Sequence, residues 1–140
     1  MPLNTHDSLW TTGCLLAASA VGLGAFGAHG LKKMVLDPAK IRSWETAAHY
    51  QLVHSVGILL SLTLRARNSS PNNNNVSLLP AQLFTAGAVM FSGSIYGLVL
   101  DPARFKWMGP ITPIGGLCFI GGWIALAATA QSRASPSSAQ

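Results

Sequence analysis

Four long stretches of this chain contain no Asp, Glu, Lys or Arg: Ser8 to Leu31, Thr46 to Leu64, Asn68 to Leu100 and Trp107 to Ser132. Each holds about 20 mostly apolar residues, enough to cross roughly 30 Å of hydrocarbon at about 1.5 Å per helical residue. The spacing predicts helices near 9–29, 46–64, 80–100 and 110–130, within a transmembrane domain of residues 1–130. The third gap outruns its helix because it opens on Asn68-Ser69-Ser70-Pro71 and a run of asparagines, so 65–78 reads as a polar loop. Residues 131–140, rich in Ser, Ala and Gln, read as a flexible polar tail. Only 9% of the chain is charged, against roughly 25% in a soluble domain. With 49% hydrophobic residues and a mean hydropathy of +0.38, neither a disordered chain nor an ordinary water-soluble enzyme fits. Four successive segments without a polar face also exclude a soluble bundle. The expected fold is all-α: an integral membrane, antiparallel four-helix bundle.

The net charge of +5 would point to nucleic acid in a soluble protein. Here the cations fall between apolar runs and form no stripe, so the expected partner is the lipid bilayer and not nucleic acid. No Lys or Arg precedes Lys32, so the first segment reads as a retained helix and not as a cleaved signal. Lys32, Lys33, Lys40, Arg42, Arg104 and Lys106 share one face; Arg65, Arg67 and Arg133 share the other. Loop basicity therefore places the first face in the cytoplasm, or in the matrix of a mitochondrial inner membrane, with both termini opposite. Trp10, Trp44 and Trp107 fall at span ends and fit an interfacial belt, whereas Trp123 lies within the fourth span and reads as packing. Cys14 and Cys118 differ in depth by roughly 10 Å, which disfavours a disulfide between them.

Lipid tails are as apolar as leucine, so these helices must associate through close backbone approach at small residues. Ala20, Gly24 and Ala28 in the first span, Gly93 and Gly97 in the third, and Gly115, Gly116, Gly121 and Gly122 in the fourth are the expected packing positions. Gly22 to Gly27 matches G-x-G-x-x-G, but it follows an apolar helical run and no strand, so a dinucleotide site is not expected. Two loops resemble each other, Val35 to Ile41 and Val99 to Phe105, each with Asp-Pro-Ala at its centre. Both read as the start of a short interfacial helix, with Asp capping and Pro in the first turn; an internal duplication is the alternative.

Consecutive spans run in opposite directions, so depth can be reckoned from the basic face. On that reckoning His29, Glu45, His49, Tyr50, Gln51, His54, Ser92, Ser94, Tyr96 and Thr112 gather in one half of the bilayer. Ionisable groups in hydrocarbon are costly without partners, so these side chains are expected to face the bundle interior. They read as hydrogen bonds between helices, as a polar cavity for a small solute, ion or proton, or as metal or haem ligands. His49 and His54 are five apart and lie on different helical faces, and neither cysteine joins them, so no metal and no cofactor are expected. No nucleophile elbow, HExxH, phosphate-binding loop or paired carboxylates occur, and no catalytic residue is assigned.

Gly24 to Lys32, Trp44 to Ser55, Phe91 to Tyr96, Ile111 to Gly116 and Gly122-Trp123 appear in order. In these blocks the chain resembles the family of transmembrane protein 256, also catalogued as domain of unknown function 423, over about residues 9–130. The resemblance implies a small integral membrane protein with helical spans and assigns no activity. The functional expectation is a non-enzymatic accessory or assembly subunit of a larger membrane complex, touching other membrane subunits. The alternative is a carrier of a small solute, ion or proton that uses His29, Glu45, His49, His54 and Tyr96.

Overall fold

A computed structural model describes residues 5–68 and 77–131 of the chain. The asparagine run Asn72 to Asn75 and residues 132–140 of the C-terminal tail lie outside the described residues. Four helices dominate: α1 (Thr5–Met34), α2 (Pro38–Asn68), α3 (Leu79–Leu100) and α4 (Ile111–Gln131). Each is long and apolar enough to cross a membrane, and no strand occurs among the described residues. The protein is an all-α helical-bundle membrane protein. Two helices contain a wide π-turn, Gly27–Leu31 in α1 and Ala88–Ser92 in α3.

α2 begins at Pro38, well before residue 46. The Ala39 amide donates to Asp37 Oδ1 at 2.8 Å, and the proline fixes the first turn, so the helix nucleates in the loop. Nothing between Ile41 and Thr46 breaks it, and the first of the two similar loops therefore forms no separate interfacial helix. The second starts alike, with Arg104 N donating to Asp101 Oδ1 at 3.1 Å. It ends after the single turn Pro102–Phe105 and a 3₁₀ turn at Lys106–Met108, because Gly109-Pro110 interrupts it.

Contacts fix the direction of each neighbour. Gly13 of α1 lies against Ile58 and Leu59 of α2, while Gly27 lies against Trp44, so α1 and α2 are antiparallel. Gly57 of α2 faces Phe84 of α3, whereas Ala47 meets Ser92. Gly87 and Gly122 carry α4 against α3 in the same opposed sense, through Phe119 and Phe84. α1 packs on α2, α2 on α3 and α3 on α4. Ile58, Leu62, Ala81, Phe84, Ala88, Phe119 and Leu126 form the larger apolar core, and Leu31, Trp44 and Val99 a smaller one toward the basic end.

The small residues sort unevenly. On α1 the buried ones are Gly13, Ala20 and Gly27, seven apart, the repeat of a coiled-coil seam. Of the expected stripe, Ala20 is buried, a Cβ on Gly24 would stand 4.0 Å from that of Ala48, and Ala28 is exposed. Gly115 and Gly122 are tight positions. A Cβ at Gly116 or Gly121 would meet only Phe91 at 3.9 Å or Leu83 at 3.6 Å. Gly97 packs beneath Phe105 and Met108 of the following loop, and Gly93 has nothing within 4 Å.

Candidate functional site

Gln51 is the junction of the polar interior. Its Nε2 donates to the carbonyl of Leu16 at 2.9 Å and to Ser19 Oγ at 2.8 Å, both on α1. Its Oε1 accepts from the Tyr96 hydroxyl of α3 at 3.0 Å. One amide thus ties three helices together. A helical carbonyl keeps a second lone pair beyond its helix bond, and the neighbours exploit this. Trp44 Nε1 donates to Leu23 O at 2.8 Å, and Ser92 Oγ to Ala47 O at 2.8 Å. Ser94 Oγ and Thr112 Oγ1 lie 2.6 Å apart, joining α3 to α4. The Trp44 and Tyr96 rings pack at 4.5 Å. Trp44 is therefore an interior residue, 2% exposed, and not part of an interfacial belt.

His54 sits apart from this network. Its Nδ1 lies 2.7 Å from the Tyr50 carbonyl, and its ring stacks on Phe119 with centroids 3.5 Å apart. Phe84 and Trp123 flank it at 5.7 and 6.0 Å. Trp123 does pack, against Phe84 at 4.9 Å, though it is also 42% exposed.

His29, Glu45 and His49 do not join the interior; all three are exposed. Tyr50 is half outside, its ring stacked on Phe91 at 5.2 Å. The reason is visible on the outer face of α2. That face reads Arg42, Glu45, His49 and then Leu52, Val53, Val56, Leu60, so it turns from polar to apolar after His49. Because α2 starts at Pro38, roughly 16 Å of helix precede that change. Glu45 and His49 belong to the polar stretch before that change, and as exposed side chains they need no partner within the bundle.

Depth also divides the remaining residues. Gln51 lies level with Leu16 and Ser19 near the middle of α1. His54 lies level with Phe119 and Trp123, near the middle of α4. The ten residues are thus three groups: an exposed end, an inter-helix network and one deep histidine. Ser19 is the partner that residue-type reasoning passes over. Its position carries the signal, since it precedes Gly27 by about as many residues as Gln51 follows Trp44. Cys14 is exposed and Cys118 half-buried, both as free thiols. Among the described residues no three His, Cys, Asp or Glu side chains come together in a way that would hold a metal ion.

These groups coincide with a recognisable family core. A family profile described as "Protein of unknown function (DUF423)" matches residues 23–116. The chain belongs to this family. Among its relatives is a UPF0382 membrane protein of Schizosaccharomyces pombe, 39% identical over 119 residues, covering 83% of this chain and 95% of the relative. One of Staphylococcus saprophyticus subsp. saprophyticus is 46% identical over 114 residues, covering 81% and 88%. One of Bacillus subtilis is 36% identical over 118 residues, covering 84% and 91%. No solved structure matches. The relatives' names and the four apolar helices agree: this is a multi-pass membrane protein in contact with the bilayer.

Proposed function

We propose that the chain is a non-enzymatic accessory or assembly subunit, a four-helix module that docks on other membrane proteins. The observation that carries this reading is a second small-residue face on α1. Thr11, Cys14, Ala18, Gly22 and Ala25 are all exposed, at spacings that keep them on one side, away from the seam with α2. Gly22 has nothing within 4 Å of a Cβ position. Such a face gives little to lipid and permits another helix to come close. The interior supports the same reading, since Trp44, Gln51, Ser92, Ser94 and Tyr96 are engaged in helix-to-helix bonds. A carrier would need ionisable groups along an internal path, whereas His29, Glu45 and His49 lie outside. The site of action that fits a eukaryotic cell is the mitochondrial inner membrane. The six cations at the loop end favour the matrix or cytoplasm for that end and the opposite side for both termini.

Native electrophoresis after mild detergent extraction tests the subunit role. Co-migration with other membrane proteins, lost in Gly22→Leu, is the expected result. A lone monomer or homodimer overturns it. Protease protection of the loop between α2 and α3 tests the orientation.

A further inference from the structure

We propose that the groove between α2 and α4 binds a neutral, membrane-soluble ring compound bearing a hydroxyl, a phenol or hydroquinone, with His54 accepting its hydrogen bond. α4 packs on α3, and its link to α2 runs through aromatic side chains. Beside that link a groove of about 610 Å³ opens on the outer surface of the bundle. This is within the size range of small-molecule sites, roughly 300–1,000 Å³. Tyr50, His54, Phe119 and Trp123 line it, with His49 at its basic end and exposed Leu117 at its rim.

The chemistry of the occupant follows from the lining. A backbone carbonyl can only accept, so the bond to Tyr50 O places the proton on His54 Nδ1. The neutral ring then presents a lone pair at Nε2. His54 is only 5% exposed, yet among the described residues no hydrogen bond reaches its Nε2, and its ring lines the groove. An acceptor left unmatched in an apolar setting is unfavourable, and a ligand hydroxyl matches it. The aromatic walls suit a ring in stacked or edge contact. Among the described residues no Asp, Glu, Lys or Arg lines the groove, which selects against ions. The exposed rim of Leu117 and Ile120 points the entrance toward lipid, so the ligand arrives from the bilayer.

The test uses full-length protein in detergent micelles with 4-pentylphenol and, as control, its methyl ether, which lacks the donor. Binding is followed by tryptophan fluorescence quenching, with empty-micelle partitioning subtracted. The phenol is expected to saturate and to bind about tenfold tighter than the ether. His54→Phe keeps the ring stack and removes the lone pair; it should bring the phenol down to the level of the ether and leave the ether unchanged. Leu117→Trp, at a surface position that folding does not depend on, should block both ligands. Equal binding of the two compounds by the wild type overturns the proposal. So does a phenol advantage that survives His54→Phe or, should that variant not fold, survives Leu117→Trp. A monomer that binds the phenol would remove the subunit role and keep the groove.

Discussion

The α1–α2 seam and the α3–α4 seam join antiparallel helices in the same membrane by different means. The first is stitched by polar side chains of α2 reaching acceptors on α1: Trp44 to Leu23, and Gln51 to Leu16 and Ser19. The second is closed by glycines set against rings and backbone, with Ser94 and Thr112 supplying a side-chain hydrogen bond across it. Hydrophobic burial supplies no net drive between helices in lipid, so association must come from hydrogen bonds or from intimate contact. The contrast teaches that a stitched seam depends on a few atoms and can lose one gradually. A glycine seam depends on the distance between two backbones, and any added atom is felt at once.

Five substitutions break or sharpen that contrast, each read as the change in unfolding free energy in a mixed-micelle denaturation series. Gly115→Ala should be worst, at about 3 kcal/mol or loss of folding. Its new methyl would press on the Phe91 backbone nitrogen and stand 2.9 Å from Phe91 Cα, atoms that cannot rotate away. A cost under about 1 kcal/mol would erase the distinction between the seams. Gln51→Leu should cost about 1–3 kcal/mol, since the Tyr96 hydroxyl loses its acceptor and Ser19 its donor. Adding Tyr96→Phe should then cost less than it does alone, the signature of a shared bond. Ser94→Ala should cost about 0.6 kcal/mol, the average for a hydrogen bond between membrane helices. Gly93→Ala should fall within about 0.5 kcal/mol of the wild type, because open space surrounds it. A large loss there would mean that a tight contact exists beyond the four helices themselves.

The spans were legible because each residue meets lipid individually, and a charge is excluded from hydrocarbon whatever its neighbours do. The zigzag of the chain followed from that. Which side of a helix faces inward was much less legible, since every face is apolar and ordinary amphipathic patterning is silent. Glu45, His49, Gln51 and His54 occupy one short stretch of α2, yet two point out and two point in. Only the register against Gly13 and Gly27 separates them. The start of α2 is written in Asp37-Pro38, but charge spacing alone begins the span at residue 46 and does not tell that Glu45 and His49 face outward. Trp44 misled for the same reason: a tryptophan at a span end and a tryptophan in a seam look alike until a glycine opposite makes room for it. The groove beside His54 arises where two helices meet through aromatic side chains, which no local pattern reports.

The π-turn at Ala88–Ser92 accommodates one residue more than an α-turn would. Winding the same residues into regular helix, with none removed, would rotate Gly93–Leu100 by about 100°. Ser94, Tyr96 and Val99 would swing away from Thr112, Gln51 and the Trp44 cluster while every side chain kept its chemistry. Along this stretch the spacing of the chain is itself a heritable instruction: a residue lost within Ala88–Ser92 leaves the flanks in phase, whereas one lost from Gly93–Leu100 turns every side chain after it.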